Sequence, residues 1–330
     1  MTVLVTGGAG YIGSHMVWEL LDAGEDVVVV DRLSTGFEWA VAPEAKLVVG
    51  DIGDAALMSS VIAEHGVNAI IHFAGSVVVP ESVADPLGYY DNNTVKTRNL
   101  IDCAVKGGVP HFIFSSTAAV YGGSGSEPVA EDAPLHPESP YGRSKLMTEW
   151  MLQDTARAHP LSYTILRYFN VAGADPKGRT GQSTPGATHL IKVACETALG
   201  KRAHMQVFGS DYATPDGTCL RDYIHVIDLV AAHRLALLRL RNGGGSLLAN
   251  CGYGHGYSVL EVIDAVRRLH GADFDVRMTE RRPGDPAAIV ANSDRARQEL
   301  GWQPARDDLD AIVADALNWE ASLSRRNSAR

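Results

Sequence analysis

The chain has no CxxC, no HExxH and no pair of closely spaced histidines, and its four cysteines (Cys103, Cys195, Cys219 and Cys251) stand far apart. That spacing excludes a metal centre built on clustered Cys and His ligands. Reduced, mostly buried thiols of a reducing compartment are expected instead, which points to the cytoplasm. Long apolar runs are also missing. The longest candidate, 229–240, is interrupted by His233, Arg234 and Arg239, so no membrane span is expected. Residues 2–6 already read as a core strand, which leaves no room for a signal peptide before them. Basic residues are outnumbered, 29 Lys and Arg against 39 Asp and Glu, giving a formal charge of −10. Nucleic acid is therefore not expected as the main partner, because phosphate neutralisation needs clustered cations. A phosphate-bearing small molecule remains possible through backbone amides and a few local arginines. The sequence shows no internal repeat and no low-complexity tract.

What is present is an ordinary globular composition, with 45% hydrophobic and 21% charged residues among 330, long enough for two domains in close contact. Short Val- and Ile-rich runs at 3–6, 27–31, 47–50, 69–73, 112–115 and 163–167 predict strands. Between them, 14–23, 55–65, 94–106 and 144–158 carry the helical period. This alternation predicts an α/β fold: a doubly wound parallel sheet covered by helices on both faces. After about residue 168 the pattern loosens. Residues 174–188 read as a loop, helices are expected at 190–199, 225–240, 258–270 and 307–319, and 324–330 as a frayed end.

The first strand runs directly into Gly7-Gly8-Ala9-Gly10-Tyr11-Ile12-Gly13 and then a helix. Glycines permit the tight turn and the close approach of backbone to a pyrophosphate, while the helix start offers N–H groups and a positive dipole end. A dinucleotide site is the expectation. Asp31 ends the second strand, 18 residues after Gly13. A carboxylate there accepts from both ribose hydroxyls and repels a 2′-phosphate, which favours NAD over NADP. Arg32 beside it is expected to be a solvated loop residue. Asp51 and Ile52, closing the third strand, can meet the adenine.

Phe114-Ser115-Ser116-Thr117 ends a strand, and Tyr141-Gly142-Arg143-Ser144-Lys145 follows. A Tyr and a Lys four apart on a helix share one side. The Lys145 ammonium and an oxidised nicotinamide would both favour the Tyr141 phenolate, bringing its pKa down from about 10 towards neutrality and making it a general base. Thr117 is placed to hydrogen-bond a substrate hydroxyl and relay the proton.

From Val3 to about Trp319 the chain resembles the extended short-chain dehydrogenase/reductases, and within them the UDP-hexose 4-epimerases. The resemblance is carried by VTGGAGYIGSH (5–15), GDI (50–52), HFAG (72–75), YYDNN (89–93), FSSTAAVYG (114–122), SPYGRSKL (139–146), LRYFNVAGA (166–174), DGTCLRDYIHVIDL (216–229) and RRPGD (281–285). It implies a Rossmann domain over 1–168 with about 222–254, and a smaller mixed α/β substrate domain over 169–221 with 255–330. It implies Tyr141 as base, Lys145 as ribose anchor and Thr117 as hydroxyl partner. Gly7, Gly10, Tyr11, Ile12, Gly13, Asp31, Asp51, Ile52, Phe73, Ala74, Gly75, Asn92 and Phe169, with Tyr141 and Lys145, would line NAD. Asn170, His189, Leu190, Phe208, Arg221, Arg282, Asp285 and Ile289, with Thr117, would hold the UDP-sugar. The implied reaction interconverts UDP-glucose and UDP-galactose by transient oxidation at C4, turning of the 4-ketosugar and hydride return. A homodimer built from the helices near 94–106 and 144–158 is implied too.

Three residues depart from the family pattern. Val77 stands where many relatives carry a lysine near the nicotinamide, and His189 where asparagine is common. Ile289 occupies a position that relatives fill with either a bulky aromatic or a small side chain, leaving UDP-N-acetylglucosamine and UDP-arabinose or UDP-xylose open as substrates. A 4,6-dehydratase would need acid–base groups after Thr117, where Ala118-Ala119 stand. A 4-ketosugar reductase would need NADPH, against which Asp31 speaks. A non-catalytic NAD-binding regulator would have no need to keep Thr117, Tyr141 and Lys145 together.

Overall fold

The computed structural model describes residues 1–123, 128–282 and 285–327. Its first half follows the predicted alternation. β1 (Thr2–Thr6), α1 (Tyr11–Asp22), β2 (Asp26–Asp31), β3 (Lys46–Val49), α2 (Ala55–Glu64) and β4 (Ala69–His72) come first. Two short helices absent from the sequence reading follow, α3 (Val79–Ala84) and α4 (Pro86–Tyr90). A single π-helical turn over Asp91–Val95 then leads into α5 (Lys96–Lys106), β5 (His111–Thr117), α6 (Pro140–Ala158) and β6 (Ser162–Tyr168). The helix expected from residue 144 thus starts at Pro140. Ser139 caps it by accepting from the Gly142 N–H at 3.1 Å, and Pro140 occupies the first turn, where its missing donor costs nothing.

The remaining elements are β7 (Asn170–Ala172), α7 (Leu190–Ala198), β8 (Met205–Phe208), β9 (Leu220–Arg221), β10 (Tyr223–His225), α8 (Val226–Arg241), β11 (Leu247–Cys251), β12 (Tyr257–Ser258), α9 (Val259–His270), β13 (Val276–Thr279), β14 (Ala288–Ile289), α10 (Asp294–Leu300) and α11 (Leu309–Asn327). Residues 174–188 form the expected loop, with one bridge between Ala174 and Gly181. α11 outruns its expected end at Trp319 by two turns. Residues 324–327, read as frayed, continue the helix, and 328–330 lie outside the described residues.

Seven strands form one parallel sheet in the order β11-β6-β5-β4-β1-β2-β3. Both faces are covered, so side chains alternate between two cores rather than between core and solvent. Val3, Val5, Val27 and Val29 pack with Met16 and Leu20 of α1 and Leu229 and Leu237 of α8. Leu4, Val28 and Val30 pack on the other face with Met58, Leu100 and Leu152 from α2, α5 and α6. The strand order reverses at β1, flanked by β2 on one side and β4 on the other. In such sheets the crevice opens beyond the carboxyl ends at the switch point. The register puts Thr6 beside His72, His72 beside Phe114 and Thr117 beside Tyr168, so four strands deliver their last residues to one edge.

Candidate active site

At that edge lies a cleft enclosing about 600 Å³, whose walls include Gly7, Gly10, Asp31, Asp51, Ile52 and Ala74. Phe73, Gly75 and Asn92 complete its lining among the predicted residues, and Val30, Ser34, Thr35 and Gly36 join them without having been foreseen. Gly7 turns with φ +72°, and a Cβ there would stand 2.6 Å from the Ala74 nitrogen. At Gly13 a Cβ would meet the Gly7 carbonyl oxygen at 2.1 Å. No side chain caps α1 and no acid stands in its first turn, so the helix start is left to an anion. Asp31 accepts from the Ala9 N–H at 3.0 Å and the Leu33 N–H at 2.8 Å, which orients the carboxylate at the rim. The glycine cradle and this carboxylate fit the pyrophosphate and ribose of NAD.

Arg32 is half-exposed, but it is not merely solvated. Its guanidinium lies on the wall of the same cleft, 3.7 Å from Asp51, and donates to Ser34 at 3.1 Å. Asp51 is further held by Lys96 Nζ at 2.6 Å and the Gly53 N–H at 2.8 Å. Burial opposes its charge, but Lys96, the Gly53 amide and Arg32 together keep the carboxyl below its ordinary range.

Beyond this cleft, the structure brings Thr117, Tyr141 and Lys145 together. Thr117 is the last residue of β5, and its Oγ1 accepts from the Ala119 N–H at 3.1 Å. Tyr141 and Lys145 are both buried on α6. The Thr117 hydroxyl hydrogen-bonds the phenol, and the Lys145 ammonium donates to the Ser115 carbonyl at 3.1 Å and sits 4.9 Å above the Phe114 ring. The expectation of a depressed phenol pKa is not met by the protein alone. Burial pushes Tyr141 up, and the Thr117 bond opposes it only in part. Burial likewise draws Lys145 down to about 8, with the charge of Glu149 resisting.

The predicted sugar-nucleotide residues gather in three places. Arg221 on β9 pairs with Asp285, and the Arg282 guanidinium lies 3.7 Å from the centre of the Phe208 ring. Asn170, His189 and Leu190 line a second cavity of about 490 Å³, together with Tyr11, Gly173 and Trp319. Tyr11 donates to the Gly173 carbonyl at 2.7 Å, so its hydroxyl ties the glycine turn to this side of the crevice. Ile289 and Phe169 pack against the cluster that contains Ala118, Val120 and Leu146, on the side of the fold where β5 ends. Val77 is half-exposed, and Pro283 and Gly284 of the RRPGD stretch lie outside the described residues. All four cysteines are free and buried, as expected.

Sequence reading missed Ser116, Glu149 and Arg167, which form a buried network directly behind the Tyr–Lys pair. The available signal was a charged residue four after Lys145, on the same face of the helix. No helix among the described residues is long and apolar enough to cross a membrane, and no group of three or more His, Cys, Asp or Glu among them could hold a metal ion.

Residues 3–252 match the NAD dependent epimerase/dehydratase family. A UDP-glucose 4-epimerase of Azospirillum brasilense is 58% identical over 323 residues, covering 98% of this chain and 93% of the relative. The crystal structure of UDP-glucose 4-epimerase from Brucella ovis in complex with NAD superimposes with a TM-score of 0.94 at 44% identity, over 97% of this chain and 98% of that one. The Bifidobacterium longum UDP-glucose 4-epimerase, solved with NAD+ and UDP, gives 0.92 at 41% identity over 98% of both chains.

Proposed function

Because the chain belongs to the NAD-dependent epimerase/dehydratase family, we propose that it interconverts UDP-glucose and UDP-galactose by inverting carbon 4 of the hexose. The observation that carries this reading is the joining of Thr117, Tyr141 and Lys145 at the sheet edge, next to a cleft shaped for NAD.

NAD, when bound, supplies the acceptor and donor of the C4 hydride and a positively charged ring near the phenol. Tyr141 takes the proton from the sugar 4-hydroxyl and, once the ketosugar has turned, gives it back to the C4 carbonyl oxygen as hydride returns to the opposite face of C4. Thr117 stabilises the phenolate by donating to it and, accepting from the sugar hydroxyl, relays the proton towards Tyr141. Lys145 holds positive charge one helical turn away and so offsets the rise that burial imposes on the phenol. Arg221 and Arg282 neutralise the diphosphate, Asp285 accepts from the uridine ribose, and Asn170, His189 and Leu190 flank the nucleotide. Ala118, Phe169 and Ile289 give the sugar an apolar wall with few directional anchors. A hexose held firmly by its UDP and loosely by its ring can turn over between oxidation and reduction.

The same reading assigns 1–168 with about 222–254 to the NAD-binding part, and 169–221 with 255–330 to the sugar-nucleotide part. In support, β11 joins the parallel sheet and α8 packs on α1, β5 and β6. It makes the protein a cytoplasmic homodimer. Exposed Leu87 (78%), Val95 (50%), Met147 (37%) and Trp150 (52%) lie on α4, α6 and the turn entering α5, an apolar face suited to a second copy.

The test is incubation of the purified protein with UDP-galactose and no added reductant. UDP-glucose should accumulate to equilibrium. Tight NAD retention without any sugar-nucleotide turnover would overturn the reading.

A further inference from the structure

Glu149 lies one helical turn past Lys145 on α6, is fully buried, and has no part in the reaction as described so far. Its carboxylate takes the Arg167 guanidinium side-on, Nε to Oε1 at 2.9 Å and Nη2 to Oε2 at 2.5 Å. Oε1 also accepts from Ser116 Oγ at 2.5 Å. Ser116 directly precedes Thr117 on β5, and Arg167 is its register partner on β6. Arg167 Nη1 extends the network to the Tyr121 hydroxyl at 3.0 Å, which donates to Asn250 on β11 at 2.7 Å. A buried ion pair is costly to desolvate, and Leu152, one turn further along α6, shows that apolar packing alone could seat the helix. Its position directly behind the proton-transfer residues therefore calls for a role.

We propose that Glu149 is a positioning residue for proton transfer: it keeps the Lys145 ammonium charged and locks α6, with Tyr141, in register with Thr117 on β5. This rests on the reading of Tyr141 as the proton-transferring group.

The other titratable groups around the pair do not compete for this role. His72 on β4 faces Lys145, and burial pushes it down to about 3, so it is neutral at working pH. Tyr168 on β6, bonded by Ser115, is raised by burial, and Tyr89 on α4 near Tyr141 is pushed up to about 12. Of the groups facing Lys145, Glu149 supplies the opposing charge.

The sign of the effect follows. Lys145 must be protonated to act, so activity is lost as pH rises through its pKa. Removing the Glu149 charge lowers that pKa further and moves the alkaline limb to lower pH. The test is the kcat–pH profile with UDP-galactose for the holoenzyme and for Glu149→Gln, Glu149→Asp and Glu149→Gln/Arg167→Gln, with NAD content and melting temperature recorded. Glu149→Gln should lower kcat at least tenfold above pH 8, leave KM within threefold, and shift the alkaline limb down by about one pH unit or more. The charge-conserving Glu149→Asp should restore the limb to its wild-type position. The double variant removes the Arg167 guanidinium together with the carboxylate it pairs with, and should still show the downward shift. It therefore carries the test if Glu149→Gln does not accumulate. An alkaline limb unmoved in both, or a shift equally large in Glu149→Asp, overturns the proposal. Tyr141→Phe measured alongside separates the two readings: if it stays active the reaction scheme fails, and if it is inactive while the limb does not move only the role of Glu149 fails.

Discussion

The Thr117 hydroxyl donates to the phenol of Tyr141, joining the last residue of β5 to the first turn of α6. It is the protein's counterweight to the burial that disfavours a phenolate there. Replacing Thr117 with Val removes this bond and lets the phenol pKa rise further. Because the phenolate is the basic form, the acid limb of the kcat profile should move to higher pH. A lost hydrogen bond to a charged group corresponds to roughly a 10- to 100-fold fall in kcat. A steady-state pH series checks both, and an unchanged acid limb would contradict the account.

The glycine turn predicts a stability effect that can be read without substrate. A methyl at Gly13 would stand 2.1 Å from the Gly7 carbonyl oxygen, which is backbone and cannot swing aside. Gly13→Ala should cost about 1–3 kcal/mol of stability through overpacking and should release NAD more readily. Thermal melting with and without added NAD measures both effects.

That turn was also the most legible part of the sequence. Strand, glycines and helix follow one another within a few residues, and Asp31 comes at the end of a continuous Val run that can only be a strand covered on both faces. Elements of two to six residues, such as β9, β12, β14 and α3, hold too few side chains to display a period. They exist because neighbouring segments pair with them. The start of α6 was written in Ser139-Pro140, a cap followed by a first-turn proline, which outranks the apolar period that begins later. The phenol was legible only in part for a different reason: proximity to Lys145 is readable from spacing, whereas burial is a property of the assembled fold. The Glu149–Arg167 pair was hidden likewise, since a glutamate on a helix reads as solvated until its partner, 18 residues away, is folded against it.

The nucleotide end of the site should separate cleanly from the chemistry. Arg221 is paired with Asp285, and the proposed function assigns it to the diphosphate. Arg221→Gln removes the charge that binds equally in ground and transition states, so KM for UDP-galactose should rise roughly tenfold or more while kcat changes little. Unchanged KM would remove Arg221 from the diphosphate site.

The pairing of two copies has its own test. Trp150 is half-exposed on α6 among other apolar residues. If two copies pair through this face as proposed, Trp150→Glu would place a charge within it, and sedimentation should report a dimer for the unaltered protein and a monomer for the variant. A single-copy mass for the unaltered protein would contradict the assembly.

The most direct test of the central claim is the turnover of UDP-galactose by Tyr141→Phe, with bound NAD counted in the same sample. The account predicts intact NAD binding and a kcat lower by a factor of at least about 100. A Tyr141→Phe protein that turns over within tenfold of the unaltered chain would contradict it.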